Sequence, residues 1–173
     1  MKLAICCVFG LSVSLPFAGC NHIGPIHAYT IVSSSMEPTL YEGDKVLADE
    51  SYYLNHPIAD GDLVVFRHND LVLIKRVSAL AGETIEGKDG LLLRNGQALT
   101  EAYAHHSGDP SPEMQTFTAR TVPAGEVFVT GDNRDLSLDS RLAEFGIVHT
   151  SDVLGTITYI QSSKHGPGGR PVK

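Results

Sequence analysis

Leu63-Val64-Val65-Phe66-Arg67-His68-Asn69-Asp70-Leu71-Val72-Leu73-Ile74-Lys75-Arg76-Val77 reads as two strands folded about a tight turn. The first four residues are a compact apolar run, His68-Asn69-Asp70 supplies the turn, and residues 71–77 return as the second strand. Period-two alternation puts Leu71, Leu73, Lys75 and Val77 on one face of that strand and turns Arg76 to the other. An ammonium flanked by Leu73 and Val77 on a buried face is poorly solvated, and burial lowers a lysine pKa. The same residues also fit an edge strand whose lysine reaches water along its alkyl stem. The strand alone leaves both readings open.

Outward from this hairpin, short strands are expected at residues 29–32, 45–48, 84–85, 91–93, 127–130 and 153–160. Turn signals separate them: Gly43-Asp44, Asp60-Gly61-Asp62, Lys88-Asp89-Gly90 and Asn95-Gly96. The predicted fold is mainly β, built of antiparallel sheets with little helix. Residues 102–116, with Gly108, Asp109, Pro110 and Pro112, read as a mobile excursion.

The chain has 173 residues, enough for one domain and an appendage. Its formal net charge of −7 speaks against a nucleic-acid partner. Cys6, Cys7 and Cys20 are its three cysteines, so the rest of the chain has neither a disulfide framework nor a cysteine zinc site. His105-His106 beside Asp109 reads as a polar loop, no H-E-x-x-H is present, and neither metal nor cofactor is expected. After Lys2, residues 3–19 are apolar apart from small or hydroxyl residues and Pro16. This stretch fits a hydrophobic membrane helix, a lipoprotein signal ending at Phe17-Ala18-Gly19-Cys20, or a cleaved signal peptide. Each reading puts the remainder outside the cytoplasm. The expected organisation is residues 1–20 as anchor or signal, 21–163 as an extracytoplasmic β domain, and 164–173 as a disordered basic tail.

Two polar stretches flank the hairpin. Ser33-Ser34-Ser35-Met36-Glu37-Pro38-Thr39-Leu40 is a bend in which Pro38 excludes regular helix and central strand. A serine cluster suits a solvated loop, but a hydroxyl held there becomes a nucleophile if a base lies near. A neutral lysine amine supplies such a base in serine–lysine variants of the catalytic triad. Gly131-Asp132-Asn133-Arg134-Asp135-Leu136-Ser137-Leu138-Asp139-Ser140-Arg141 adds serines that can orient an amine, and aspartates and arginines that can pair.

Ser33 to Leu40, Gly61-Asp62-Leu63-Val64-Val65-Phe66, Ile74-Lys75-Arg76-Val77 and the 131–141 stretch occur in that order. Together they resemble the four sequence boxes of type I signal peptidases, over roughly residues 32–160. The resemblance implies a signal-peptidase type of antiparallel β fold. It also implies a membrane-bound serine endopeptidase that removes signal peptides from exported preproteins, cutting after small residues in an Ala-x-Ala pattern. Ser35 then resembles the nucleophile and Lys75 the general base. Ser33, with the Ser35 backbone N–H, matches the oxyanion hole. Ser137 matches the serine that orients the lysine, Asp139 and Arg141 a supporting ion pair, and Asp132 the partner of Arg76. The implied partners are preprotein substrates and the lipid bilayer of the cytoplasmic membrane, crossed once. Ile31, Val32 and Met36 are candidates for substrate pockets by their closeness to Ser35. The usual Gly-x-Pro-Gly-Asp after the lysine strand is here Ala79-Leu80-Ala81-Gly82-Glu83, which bears on the local turn. The short segment between Lys75 and Gly131 predicts a reduced second sheet. A specialised processing peptidase, for example of a conjugation or pilin system, shares these traits. A catalytically idle, membrane-tethered binding module on the same fold would have lost Ser35 or Lys75.

Overall fold

The computed structural model describes residues 25–108 and 110–172. In chain order it contains β1 (Ile26–Thr30), β2 (Lys45–Asp49), α1 (Tyr52–Asn55), β3 (Leu63–His68), β4 (Leu71–Leu80), β5 (Thr84–Lys88), β6 (Leu91–Arg94) and β7 (Gln97–Ala98). There follow α2 (Pro112–Gln115), β8 (Phe117–Thr121), β9 (Glu126–Thr130), β10 (Val148–His149), β11 (Val153–Ser162) and β12 (Arg170–Pro171). An eight-stranded sheet runs β1-β2-β11-β3-β4-β9-β10 with β12 beside β11, and a four-stranded sheet runs β7-β6-β5-β8. The strand pairs are antiparallel. The expected antiparallel β architecture with little helix is what forms. The N-terminal hydrophobic helix expected within residues 1–20 lies outside the described residues.

The hairpin of β3 and β4 closes where predicted. His68 pairs with Leu71 across Asn69-Asp70, and Asn69 takes a φ of 53°, a left-handed conformation that asparagine tolerates. In the small sheet, both residues of Asp89-Gly90 and of Asn95-Gly96 have positive φ, the hand that matches the twist of paired strands. β3 has no polar alternation because both its faces are covered. Leu63 and Val65 enter one core cluster with Met36, Leu40 and Ile157, while Val64 and Phe66 enter another with Val77 and Val129. Each such side chain contributes about 1.5–3 kcal/mol by burial. A third cluster, around Ile85, Phe117, Val122 and Phe128, seals the small sheet against the end of β4 and β9.

Three expectations change. β4 runs to Leu80, because it pairs with β3 along residues 71–76 and with β9 along residues 76–80, past a bulge between Val77 and Ala79. Within the tail expected to lack structure, residues 164–172 are described and include a short strand. The Gly169 N–H bonds to Ile160 O at 2.8 Å, which turns the chain back so that β12 pairs with Tyr159 and Ile160. Glycine and proline there make a return rather than a loose end. Within residues 102–116, expected to be mobile, residues 105–108 are fixed by polar contacts to residues 132–135. The departure at residues 79–83 leaves the turn closed: Glu83 N–H donates to Leu80 O (3.0 Å), and Leu80 N–H donates to the Glu83 carboxylate (2.7 Å).

Candidate active site

Ser35 sits in a bend whose two ends are anchored. Ile31 N–H donates to Asp44 O and Gly43 N–H to Ile31 O. Ile31, before the serines, and Met36 and Leu40, after them, drop into the core below, which leaves Ser33 exposed and Ser35 buried at the floor of the bend. Lys75 is buried in the middle of β4, which settles the two sequence readings in favour of the desolvated lysine. Its Nζ lies 2.7 Å from Ser35 Oγ, and Ser33 Oγ lies 3.2 Å from Ser35 Oγ. Burial is the main cause that brings the Lys75 pKa down from 10.5 to about 8; Asp139 and Asp132 pull it up, and Arg141 pushes it down.

The 131–141 loop supports this pair from behind. Its charges are internal: Asp132, Arg134, Asp139 and Arg141 are all buried. Arg76, turned away from Lys75 as alternation predicts, makes a fork with Asp132. Its Nε donates at 2.9 Å and its Nη2 at 2.7 Å, and its Nη1 donates to Gly61 O at 2.9 Å. Thr39 Oγ1 donates to the same aspartate. Arg141 and Asp139 form a second fork at 2.8 and 2.9 Å, and Asp139 also accepts the Gly131 N–H at 2.9 Å. Asn133 N–H donates to Ser35 O at 3.1 Å. Gly131 leaves no room for a side chain, because a Cβ there would collide with Ser137 and the Ser35 carbonyl. Ser137 Oγ is buried there, and among the described residues it has no hydrogen-bond partner, Lys75 included.

A cleft of about 420 Å³ opens beside the pair. Leu71 and Leu73 line one wall, Leu136, Leu138, Leu142 and Phe145 the other, with His68 and Glu144 among its polar groups. Ile31 and Met36 belong to the core rather than to this cleft, because the bend uses them as anchors; Val32 is exposed. Sequence reasoning placed Leu71 and Leu73 on the Lys75 face but missed Leu136 and Leu138, which look like spacers inside a polar loop. It also missed Glu101, whose buried fork with Arg134 (2.8 and 2.7 Å) spans two distant segments. An arginine without an assigned partner in the polar loop was the only available hint. Among the described residues no cluster of His, Cys, Asp and Glu suits a metal ion.

Comparison with known proteins points to one family. The family described as "Signal peptidase, peptidase S26" matches residues 8–161. The chain is similar to "Probable signal peptidase I-1" of Synechocystis sp., with 37% identity over 72% of this chain and 65% of that protein. It is likewise similar to "Signal peptidase I V" of Bacillus subtilis, with 38% identity over 75% of this chain and 82% of that one. The crystal structure of a signal peptidase I from Enterococcus faecalis superposes with a TM-score of 0.51 at 33% identity, covering 60% of this chain and 98% of that one. With its β architecture and the order of its sequence boxes, the chain belongs to the signal peptidase family, peptidase S26.

Proposed function

We propose that the protein is a type I signal peptidase working through a serine–lysine dyad, with Ser35 as nucleophile and Lys75 as general base. The observation that carries this is the 2.7 Å contact between Ser35 Oγ and a buried amine whose pKa is lowered to about 8. A lysine near its usual 10.4 would be almost wholly protonated at neutral pH and useless as a base, whereas one near 8 has a useful neutral fraction. Ser35 Oγ attacks the scissile carbonyl while its proton passes to Lys75 Nζ. The negative charge that grows on the carbonyl oxygen is met by the Ser35 backbone N–H and the Ser33 hydroxyl. Lys75 then gives its proton to the departing amine, leaving an acyl-enzyme. A water molecule, deprotonated by the same amine, releases the new carboxyl end and restores Ser35.

The remaining assignments belong to this reading. Asp132–Arg76 and Asp139–Arg141 brace the dyad, and Ser137 orients the amine. An unpaired buried hydroxyl costs about 1–3 kcal/mol, so a hydrogen bond to a neutral amine would be favoured. The substrates are preproteins bound in extended form and cut after small residues in an Ala-x-Ala pattern. Residues 1–20 hold the enzyme at the cytoplasmic membrane, with residues 21–163 on its outer face; among the described residues no helix is long and apolar enough to cross. Processing of a preprotein by the purified chain, and its loss in Ser35→Ala, tests the enzyme. Recovery of the full-length chain in the membrane after a carbonate wash tests the anchor, and its appearance in the soluble fraction would refute it.

A further inference from the structure

Residues 101–108 have almost no secondary structure of their own, yet their polar groups converge on residues 131–135. His105 N–H donates to Asp132 O and Arg134 N–H to His105 O, both at 2.8 Å. Ser107 Oγ donates to Asn133 Oδ1 (2.8 Å), and Gly108 N–H donates to Asp135 (2.9 Å). Two side chains of this strap go deeper. Glu101 receives both Nη atoms of Arg134, whose Nε donates to Gly131 O at 3.0 Å. Gly131 lies so near the Ser35 carbonyl that a Cβ there would collide with it, and Asn133 N–H donates to that carbonyl. The Tyr103 hydroxyl donates to Glu101 at 2.9 Å, and its ring lies over the Arg76 guanidinium, 4.0 Å from the centroid. One route ends on the backbone of Ser35, the other on the residue next to Lys75.

We infer that Glu101 and Tyr103 are positioning residues for the Ser35–Lys75 pair, acting through Arg134–Gly131 and through Arg76–Asp132. The inference rests on the reading of Ser35 and Lys75 as nucleophile and base. A buried ion pair adds little net stability over an apolar pair, because desolvation offsets attraction. What the Glu101–Arg134 fork supplies is direction: a planar guanidinium held on one side aims its remaining N–H at a single carbonyl. The Tyr103 ring also covers the buried Arg76 guanidinium. The charged and titratable groups around Lys75 are Asp139, Arg141 and Asp132, with His68 and Glu144 lining the same cleft. Lifting the strap hydrates this surround, so the amine returns toward its unperturbed, higher pKa.

The test is the pH dependence of preprotein processing by the full chain in detergent, as wild type, Glu101→Ala, Glu101→Gln, Tyr103→Ala and Tyr103→Phe. Glu101→Ala and Tyr103→Ala should lower kcat about ten- to a hundredfold, the scale of a small misplacement of reacting groups, with KM little changed. Their acid limb in kcat/KM should move to higher pH. Tyr103→Phe keeps the ring and should stay close to wild type, with Glu101→Gln between. If the variants melt lower but keep wild-type kcat and acid limb below their melting temperatures, the strap only stabilises and the inference is overturned. If the alanine variants do not fold, Glu101→Gln and Tyr103→Leu decide on the same two readouts. Absence of processing by the wild-type chain would instead refute the enzyme reading itself.

Discussion

In the loop of residues 131–141 the charges are inside and the apolar side chains outside; in the four-stranded sheet the order is the usual one. Asp132, Asp139 and Ser137 are 0% exposed, whereas Leu136 and Leu138 are 55% and 65% exposed on the cleft. In the small sheet Ile85, Leu92 and Phe117 are buried, and lysine and glutamine lie outside. The sheet is held by non-directional apolar contact. The loop is held by forks with fixed geometry, each leaving an expensive orphan charge if one partner goes. Damage to the loop should therefore appear in catalysis, and damage to the sheet in stability alone.

The largest effect sharpens the contrast at the dyad. Ser35→Ala and Lys75→Met should each lose at least about a thousandfold in kcat/KM. Wild-type kcat/KM should fall as pH drops below about 8, where Lys75 takes up a proton. The stability sign is opposite to that of a helpful ion pair. The folded pKa is about 8 and the ordinary value 10.5, so between them the unfolded chain holds the proton more tightly and stability rises with pH. At pH 7 the penalty is fully present and on the order of 3 kcal/mol, at about 1.4 kcal/mol per pKa unit. Lys75→Met should thus melt no lower than wild type at pH 7 and lose the rise between pH 8 and 10.5. An active Lys75→Met would end the base assignment.

Next come the forks. Arg76→Ala and Asp132→Ala should each cost about 3–5 kcal/mol, and the double mutant much less than their sum. Additive losses in matched melts would break the contrast at its loop end. At the sheet end, Gly87→Ala drives a methyl into the Phe117 ring and should cost about 1–3 kcal/mol. Its kcat/KM, measured below the melting temperature, should match wild type; a large kinetic defect would mean the sheet also positions the dyad. The smallest stability effect is expected at the exposed leucines. Leu136→Ser and Leu138→Ser should shift stability by no more than about 0.5 kcal/mol. They should raise KM for a preprotein with an apolar segment, and an unchanged KM would remove the cleft from the substrate path.

The sequence by itself determined the hairpin, because Asn69-Asp70 and the alternation of residues 71–77 are local properties. It determined the small sheet's turns, because Asp-Gly and Asn-Gly favour one backbone hand. The residues that meet as the Ser35–Lys75 contact and as the Arg76–Asp132 and Arg141–Asp139 forks were legible as well, through the order of the four boxes. Only the tertiary structure decided that Lys75 is buried rather than reaching out to water, since the covering comes from chain far away in sequence. Only tertiary contacts turned Glu101 and Tyr103 from loop residues into neighbours of Arg134 and Arg76. Glycine and proline around residues 164–172 mark a return as readily as a loose end, and only the pairing of β12 with Tyr159 and Ile160 tells which. Polar residues look the same in a solvated loop and in a closed network of forks, because composition records the groups and not their partners.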